Sequence, residues 1–162
     1  MKSPAKGSQK AVPKVRPLAQ LVQALNDTNL VDTFSSCQGN LEGYDQQEMD
    51  QTIVDIRFYG SKMVSDNDIQ TLMEFIITKA MTYDLEVFVD AYKKYKPHQH
   101  ILHSPIYVLK IRPCNSFDDS LKKRKDIDAG VKAVTEIVQL ATKIKEEGMR
   151  LIPIRGGFAK TS

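Results

Sequence analysis

Residues 106–111, Ile-Tyr-Val-Leu-Lys-Ile, are apolar on both faces of an extended chain, and this restricts the fold more than any other stretch. A strand of this kind belongs in the middle of a sheet. Pro113 ends it. Two further stretches alternate, as a half-buried strand does. Across 52–59, Val54, Ile56 and Phe58 share one face, and Asp55, Arg57 and Tyr59 the other; Gly60 stops the run. Across 85–92, Leu85, Val87 and Val89 oppose Glu86, Phe88 and Asp90. Residues 30–35 read as a shorter strand running into a Ser-Ser-Cys loop.

Helical spacing governs the rest. Pro17 sits where a first helical residue is tolerated, and Leu18, Leu21, Val22 and Leu25 make 18–26 a short amphipathic helix, ended by Asn26-Asp27. Ser65 caps a second helix, with Asp66 and Asp68 at the positive end of its dipole. Its apolar stripe is Ile69, Leu72, Met73, Ile76, Ile77 and Ala80. Residues 116–126 mix acids with bases, and a long final helix is expected after them. That helix carries Val131, Val134, Ile137, Val138, Ala141 and Ile144 on one side, and Gly148 terminates it. Residues 151–154 read as a last short strand. The order α-β-β-α-β-β-α-β predicts an α+β fold, a mixed or antiparallel sheet with packed helices.

The chain has 162 residues, enough for one domain with a substantial core. That domain is expected over 18–157, between an N-terminal tail, 1–17, and a short tail, 158–162. The net charge of +3 conceals an asymmetry. Lys2, Lys6, Lys10, Lys14 and Arg16 face no acid within residues 1–17, which leaves 18 bases against 20 acids in the remainder. The tail is therefore basic and the body slightly acidic. A basic, Pro/Ser/Gly-containing leader is expected to be disordered, and it can gather nucleic acid through phosphates without reading sequence. Its lysines have no apolar stretch behind them, so it does not read as a secretory signal. No stretch has the roughly 20 apolar residues a membrane helix needs, so no membrane partner is expected. Two cysteines, Cys37 and Cys114, do not make a disulfide framework, and the expected location is cytoplasmic, with both thiols reduced.

The candidate site begins at residues 35–40, Ser-Ser-Cys-Gln-Gly-Asn. Ser35 and Ser36 offer hydroxyls, Gly39 lets backbone approach a ligand, and Asn40 can hydrogen-bond a base or ribose. The segment is either a small polar pocket for a phosphate, a carboxylate or a base edge, or a tight turn around a buried Cys37. His98, His100 and His103 have spacing compatible with zinc if Cys37 or Cys114 joins them. They are read as surface histidines, with no metal assigned and with His103 nearest the pocket. Lys93, Lys94, Tyr95 and Lys96 interleave charge with an aromatic face in an expected loop over 93–104. That composition fits either a nucleic-acid contact or a solvated loop. Arg155, Gly156 and Gly157 form either an anion-binding turn or a frayed end.

The Ser35-Ser36-Cys37-Gln38-Gly39 loop resembles the Ser-Ser-Cys-Ser-Gly-Arg motif of the wybutosine-pathway tRNA methyltransferase family. The stretch from His103 to Ile111 is similar to that family's Glu-Pro-Phe strand. Gly148-Met149-Arg150 is similar to its Gly-aromatic-Arg turn. The three pieces keep the family's order over roughly 18–157. A Ser-Cys-Gln-Gly-His loop in bacterial and phage proteins of unknown role is similar at that segment only. The resemblance implies a tRNA-directed enzyme with S-adenosylmethionine as cofactor. Asn40 stands where the family has Arg, and an amide cannot neutralise a phosphate. The expected function is therefore a nucleotide- or RNA-binding protein on this scaffold, holding its ligand between 35–40, His103, Arg112 and 155–157. The alternatives are an S-adenosylmethionine-dependent tRNA methyltransferase and a metal- or thiol-dependent hydrolase built on Cys37 and the histidines. Oligomeric state is left open.

Overall fold

The computed structural model describes residues 17–37, 53–94, 105–115, 117–151 and 158–160. The elements follow the order α1 (Pro17–Asp27), β1 (Val31–Cys37), β2 (Val54–Gly60), α2 (Asp66–Ala80), β3 (Val87–Lys94), β4 (Ile106–Pro113), α3 (Ser120–Glu146), β5 (Met149–Leu151) and β6 (Phe158–Lys160). The fold is α+β, as the alternating periodicities predict. Strands β1–β4 form one antiparallel sheet in the order β1-β2-β4-β3, and β5 pairs with β6 in a second, two-stranded sheet. Since β2 and β3 each run antiparallel to β4, they run parallel to one another. Helix α2 links them across the strand that lies between.

The doubly apolar stretch is indeed central. β4 pairs with β2 from Val54↔Ile111 to Phe58↔Tyr107, and with β3 from Val87↔Pro113 to Lys94↔Ile106. Val54, Ile56, Phe58, Tyr107, Leu109 and Ile111 on one face of the sheet join a core with buried residues from all three described helices. Each such side chain removed from water is worth about 1.5–3 kcal/mol before entropy is counted. The other face carries Asp55, Arg57 and Tyr59 from β2, and Phe88, Asp90 and Tyr92 from β3. Among the described residues no helix is long and apolar enough to cross a membrane.

Local chemistry sets the helix ends. Ser65 Oγ accepts from the Asp68 N–H at 3.2 Å, the expected cap of α2. The stripe of α2 is broader than the spacing indicated: Phe75 is buried and Ile77 lies on its flank, half-buried. Helix α3 starts at Ser120, inside the mixed-charge segment. Asp119 caps it by accepting from the Lys122 N–H at 2.8 Å. The acids and bases there are helical pairs four residues apart: Lys122–Asp126 and Arg124–Asp128, both at 2.9 Å. Gly148 follows α3 with φ of 75°, the left-handed conformation that ends many helices.

Several strand limits differ from expectation: β3 starts at Val87 and not at Leu85, and β5 is Met149–Leu151, ahead of the strand expected over 151–154, of which 152–154 lie outside the described residues. β1 continues past Ser35 through Ser36 and Cys37, and the three pair with Arg57, Ile56 and Asp55. Ser35 and Ser36 are exposed, and strand preference yields here to the partner strand, so the serines do not stop an edge strand that β2 can pair with. β3 continues to Lys94, so Lys93 and Lys94 are strand residues and not loop residues. β6 lies in what reads as a tail, because Phe158–Lys160 pairs with Met149–Leu151.

At Gly130, α3 packs close against the sheet. A Cβ there would lie 2.6 Å from Val87 Cγ2 and 3.2 Å from Ile111 Cγ2. Overpacking costs about 1–3 kcal/mol, against roughly 1 kcal/mol of helix propensity gained from alanine. Gly130→Ala should therefore lower the midpoint of thermal or urea unfolding. An equal or higher midpoint would mean that α3 does not seat this closely on Val87.

Candidate functional site

The helix-free face of the sheet gathers the side chains best suited to binding. Register places them in rows. Cys37, Asp55, Lys110 and Asp90 share one row by backbone position, and Ser35, Arg57, Val108 and Tyr92 share the next. Tyr59 and Lys94 lie beyond these at one end, and the Phe88↔Arg112 pair lies at the other. Val108 is buried at the floor, whereas Phe34, Tyr59, Phe88 and Tyr92 are exposed by 47%, 37%, 46% and 38%. Four rings so exposed on one sheet face are not needed by the core, which lies on the other side.

A bulge in β1 brings Phe34 to this face. The register shifts between Thr33, opposite Phe58, and Ser35, opposite Arg57. The extra residue, Phe34, stacks on Tyr59 with centroids 4.4 Å apart and planes inclined by 22°. Helix α1 anchors the start of the bulge, because Asn26 Oδ1 accepts from both the backbone N–H and the Oγ1–H of Thr33, at 3.0 and 3.1 Å. The turn before it is fixed by the buried Thr28, whose hydroxyl donates to the Leu25 carbonyl at 2.6 Å and accepts from the Leu30 N–H at 3.1 Å.

Cations and carboxylates interleave with the rings. Arg57 Nε lies 3.2 Å and Lys110 Nζ 3.9 Å from the two oxygens of Asp55. Arg112 Nε lies 3.3 Å from Asp90 Oδ2. The Arg112 guanidinium sits 4.7 Å from the Phe88 centroid, and Lys110 Nζ sits 5.8 Å from that of Tyr92, both within cation–π range.

The expected pocket does not converge where its residues are described. Ser35, Ser36 and Cys37 are strand residues of β1, not a bend at the mouth of the sheet. Ser35 and Arg112 do share the helix-free face. They stand two strands and four residues of β4 apart, about 10 Å across and about 14 Å along. Gly39, Asn40, Tyr95, Lys96, His98, His100, His103, Arg155, Gly156 and Gly157 lie outside the described residues. Lys93 differs from the contact role expected of it: it projects to the helix side and donates to Asp66 Oδ2 at 3.0 Å. Lys94 remains on the helix-free face. Phe34, Tyr59, Phe88, Tyr92, Arg57 and Lys110 are the residues that the expected pocket omits.

Asp66, at the start of α2, collects a separate cluster. The Tyr107 hydroxyl donates to it, Gln70 Nε2 donates at 2.8 Å, and Lys93 approaches from β3. The Tyr107 bond first, then Gln70 and Lys93, hold its carboxyl below the ordinary carboxylate range, against a smaller opposing effect of burial. This cluster joins α2 to β3 and β4 on the core side of the sheet, and the rings of the other face do not take part.

The fold and this face together define an α+β sandwich with one helix layer and, among the described residues, a second sheet face that bears exposed rings and that no helix covers. Compared with known proteins, the chain matches no family model, no curated protein and no solved structure. The likeness to the wybutosine-pathway family accordingly rests on its short motifs alone.

Asp66 gives a pH test. With its pKa lowered by folding, its contribution to stability is complete above about pH 4, the unfolded carboxylate value, and fades as pH falls through the lower folded value. Tyr107→Phe keeps the ring that stacks on Phe58 but deletes the largest lowering contact. The Asp66 carboxyl of the variant should titrate at higher pH by carbon-detected NMR. An unchanged titration would show that the hydroxyl does not hold this acid in solution.

Proposed function

We propose that this chain binds single-stranded RNA, through its bases and phosphates, on the helix-free face of the sheet. The observation that carries this reading is the set of exposed rings Phe34, Tyr59, Phe88 and Tyr92, interleaved with Arg57, Lys94, Lys110 and Arg112. Bases stack on such rings for about 1–3 kcal/mol each, whatever the base, and neighbouring cations meet the phosphates. A duplex hides its bases and cannot use the rings, so the fitting ligand is unpaired. The centre of a protein–protein interface is depleted of charge, whereas here charged side chains stand between the rings. The five cations of residues 1–17 add long-range attraction for a polyanion, independent of sequence.

Fluorescence anisotropy with labelled single-stranded RNA of about ten nucleotides, a length within the range such surfaces cover, tests the reading. Phe34→Ala and Tyr59→Ala should each weaken binding by about tenfold, in line with the loss of one stacked base. Their circular dichroism should match that of the parent, since both rings lie outside the core. Undiminished affinity in both variants would remove the sheet face as the site. So would sedimentation showing that the rings are instead buried between two copies of the chain.

A further inference from the structure

We propose that Asp55 and Asp90 are specificity-determining residues that stand in for phosphates in the free protein, so that the face accepts polyanions bearing exposed bases and rejects those without them. The proposal deepens, and rests on, the RNA-binding reading above. Its basis is how the cations are held. Asp55, Lys110 and Asp90 occupy one row across β2, β4 and β3. Asp55 draws Arg57 from its own strand and Lys110 from β4, at 3.2 and 3.9 Å, and Asp90 draws Arg112 at 3.3 Å. Two of these cations also lie against rings, Arg112 over Phe88 and Lys110 over Tyr92. On the β3 side, the free protein therefore satisfies its own cations with carboxylates and its own rings with cations. Phe34 and Tyr59, at the β1 edge, stack on one another.

The consequence is a competition decided by what a ligand supplies. Exposed ion pairs of this type are worth about 0–1 kcal/mol each, so a ligand can displace them. A polyanion without bases offers phosphates or sulfates to Arg57, Lys110 and Arg112. It must bring that charge next to Asp55 and Asp90, and it leaves the uncovered rings facing water. A single strand supplies anions to the cations and bases to Phe88 and Tyr92 in the same event. The carboxylates thus penalise simple charge attraction and leave stacking as the deciding contribution. Without them the face would be a plain cationic patch, bound by any polyanion.

The test uses the full chain with two probes, single-stranded RNA and heparin, a polyanion with no bases. Asp55→Asn and Asp90→Asn are made singly and together, with Asp55→Glu as the charge-retaining control. The basic tail contributes to both probes alike in every variant, so it drops out when the ratio of the two affinities is compared between variants. Each asparagine variant should bind heparin several-fold tighter while RNA affinity changes less, so the RNA-to-heparin ratio falls. The RNA salt slope should steepen by about 0.7 for each cation released, and Asp55→Glu should keep the parent ratio. A ratio that is unchanged or rises in both single variants overturns the proposal. Asp90→Asn is informative even if Asp55→Asn folds poorly, because the Arg112–Asp90 pair is the more exposed of the two. Failure of the RNA-binding reading gives a different signature: the unaltered chain does not bind RNA, or Phe34→Ala and Tyr59→Ala leave its affinity intact.

Discussion

One-sided burial is the constraint from which the rest follows. All three described helices sink their apolar stripes into a single core with one face of the sheet, from Leu21 on α1 through Ile76 on α2 to Val138 on α3. With the driving force spent on that side, the opposite face answers to solvent and to whatever binds there. It is not polar in the ordinary way, for it holds four rings at the surface, spread over β1, β2 and β3. Leaving large aromatic side chains in water costs free energy, and their grouping with arginine and lysine is the observation on which the RNA-binding proposal rests.

Much of the fold was legible because the two periodicities differ so plainly. Alternation at 54–59 and 87–92, helical spacing at 69–80 and 131–144, and the doubly apolar stretch in β4 each lead to the element observed. The misread boundaries share a cause. Propensity is a local quantity, and strand ends are set by partners. Ser35-Ser36-Cys37 looks like a polar bend until β2 is alongside to pair with it. Lys93 and Lys94 look like loop residues until β4 takes up the opposite ladder. The start of α3 was hidden because residues 116–126 show mixed charge and no apolar stripe, when Asp126 and Asp128 lie one helical turn from their partners.

The site was harder to see for a topological reason. Tyr59 and Phe88 can each be assigned from sequence to the polar face of a strand. Nothing local says that the polar faces of β2 and β3 meet on either side of β4. That takes the strand order, which puts β4 between two strands that precede it in the chain. Phe34 was still less accessible, because its orientation depends on a bulge that Asn26 helps to fix. Motif resemblance and strand register gather different candidates, and among the described residues only Ser35, Cys37, Arg112 and Lys94 belong to both sets.

The insertion of β4 between β2 and β3 also bears on how the molecule is made. During synthesis β2, α2 and β3 leave the ribosome before β4 does, and the two parallel strands then face each other across a gap one strand wide. β2 can pair with β1 alone, and β3 has no partner. Completion of the sheet waits for residues 106–113, and the apolar seam of α3, translated later still, has nothing finished to settle on until then. A nascent chain of this topology therefore carries two unpaired strand edges for an appreciable part of its translation, a period in which shielding by a chaperone matters most.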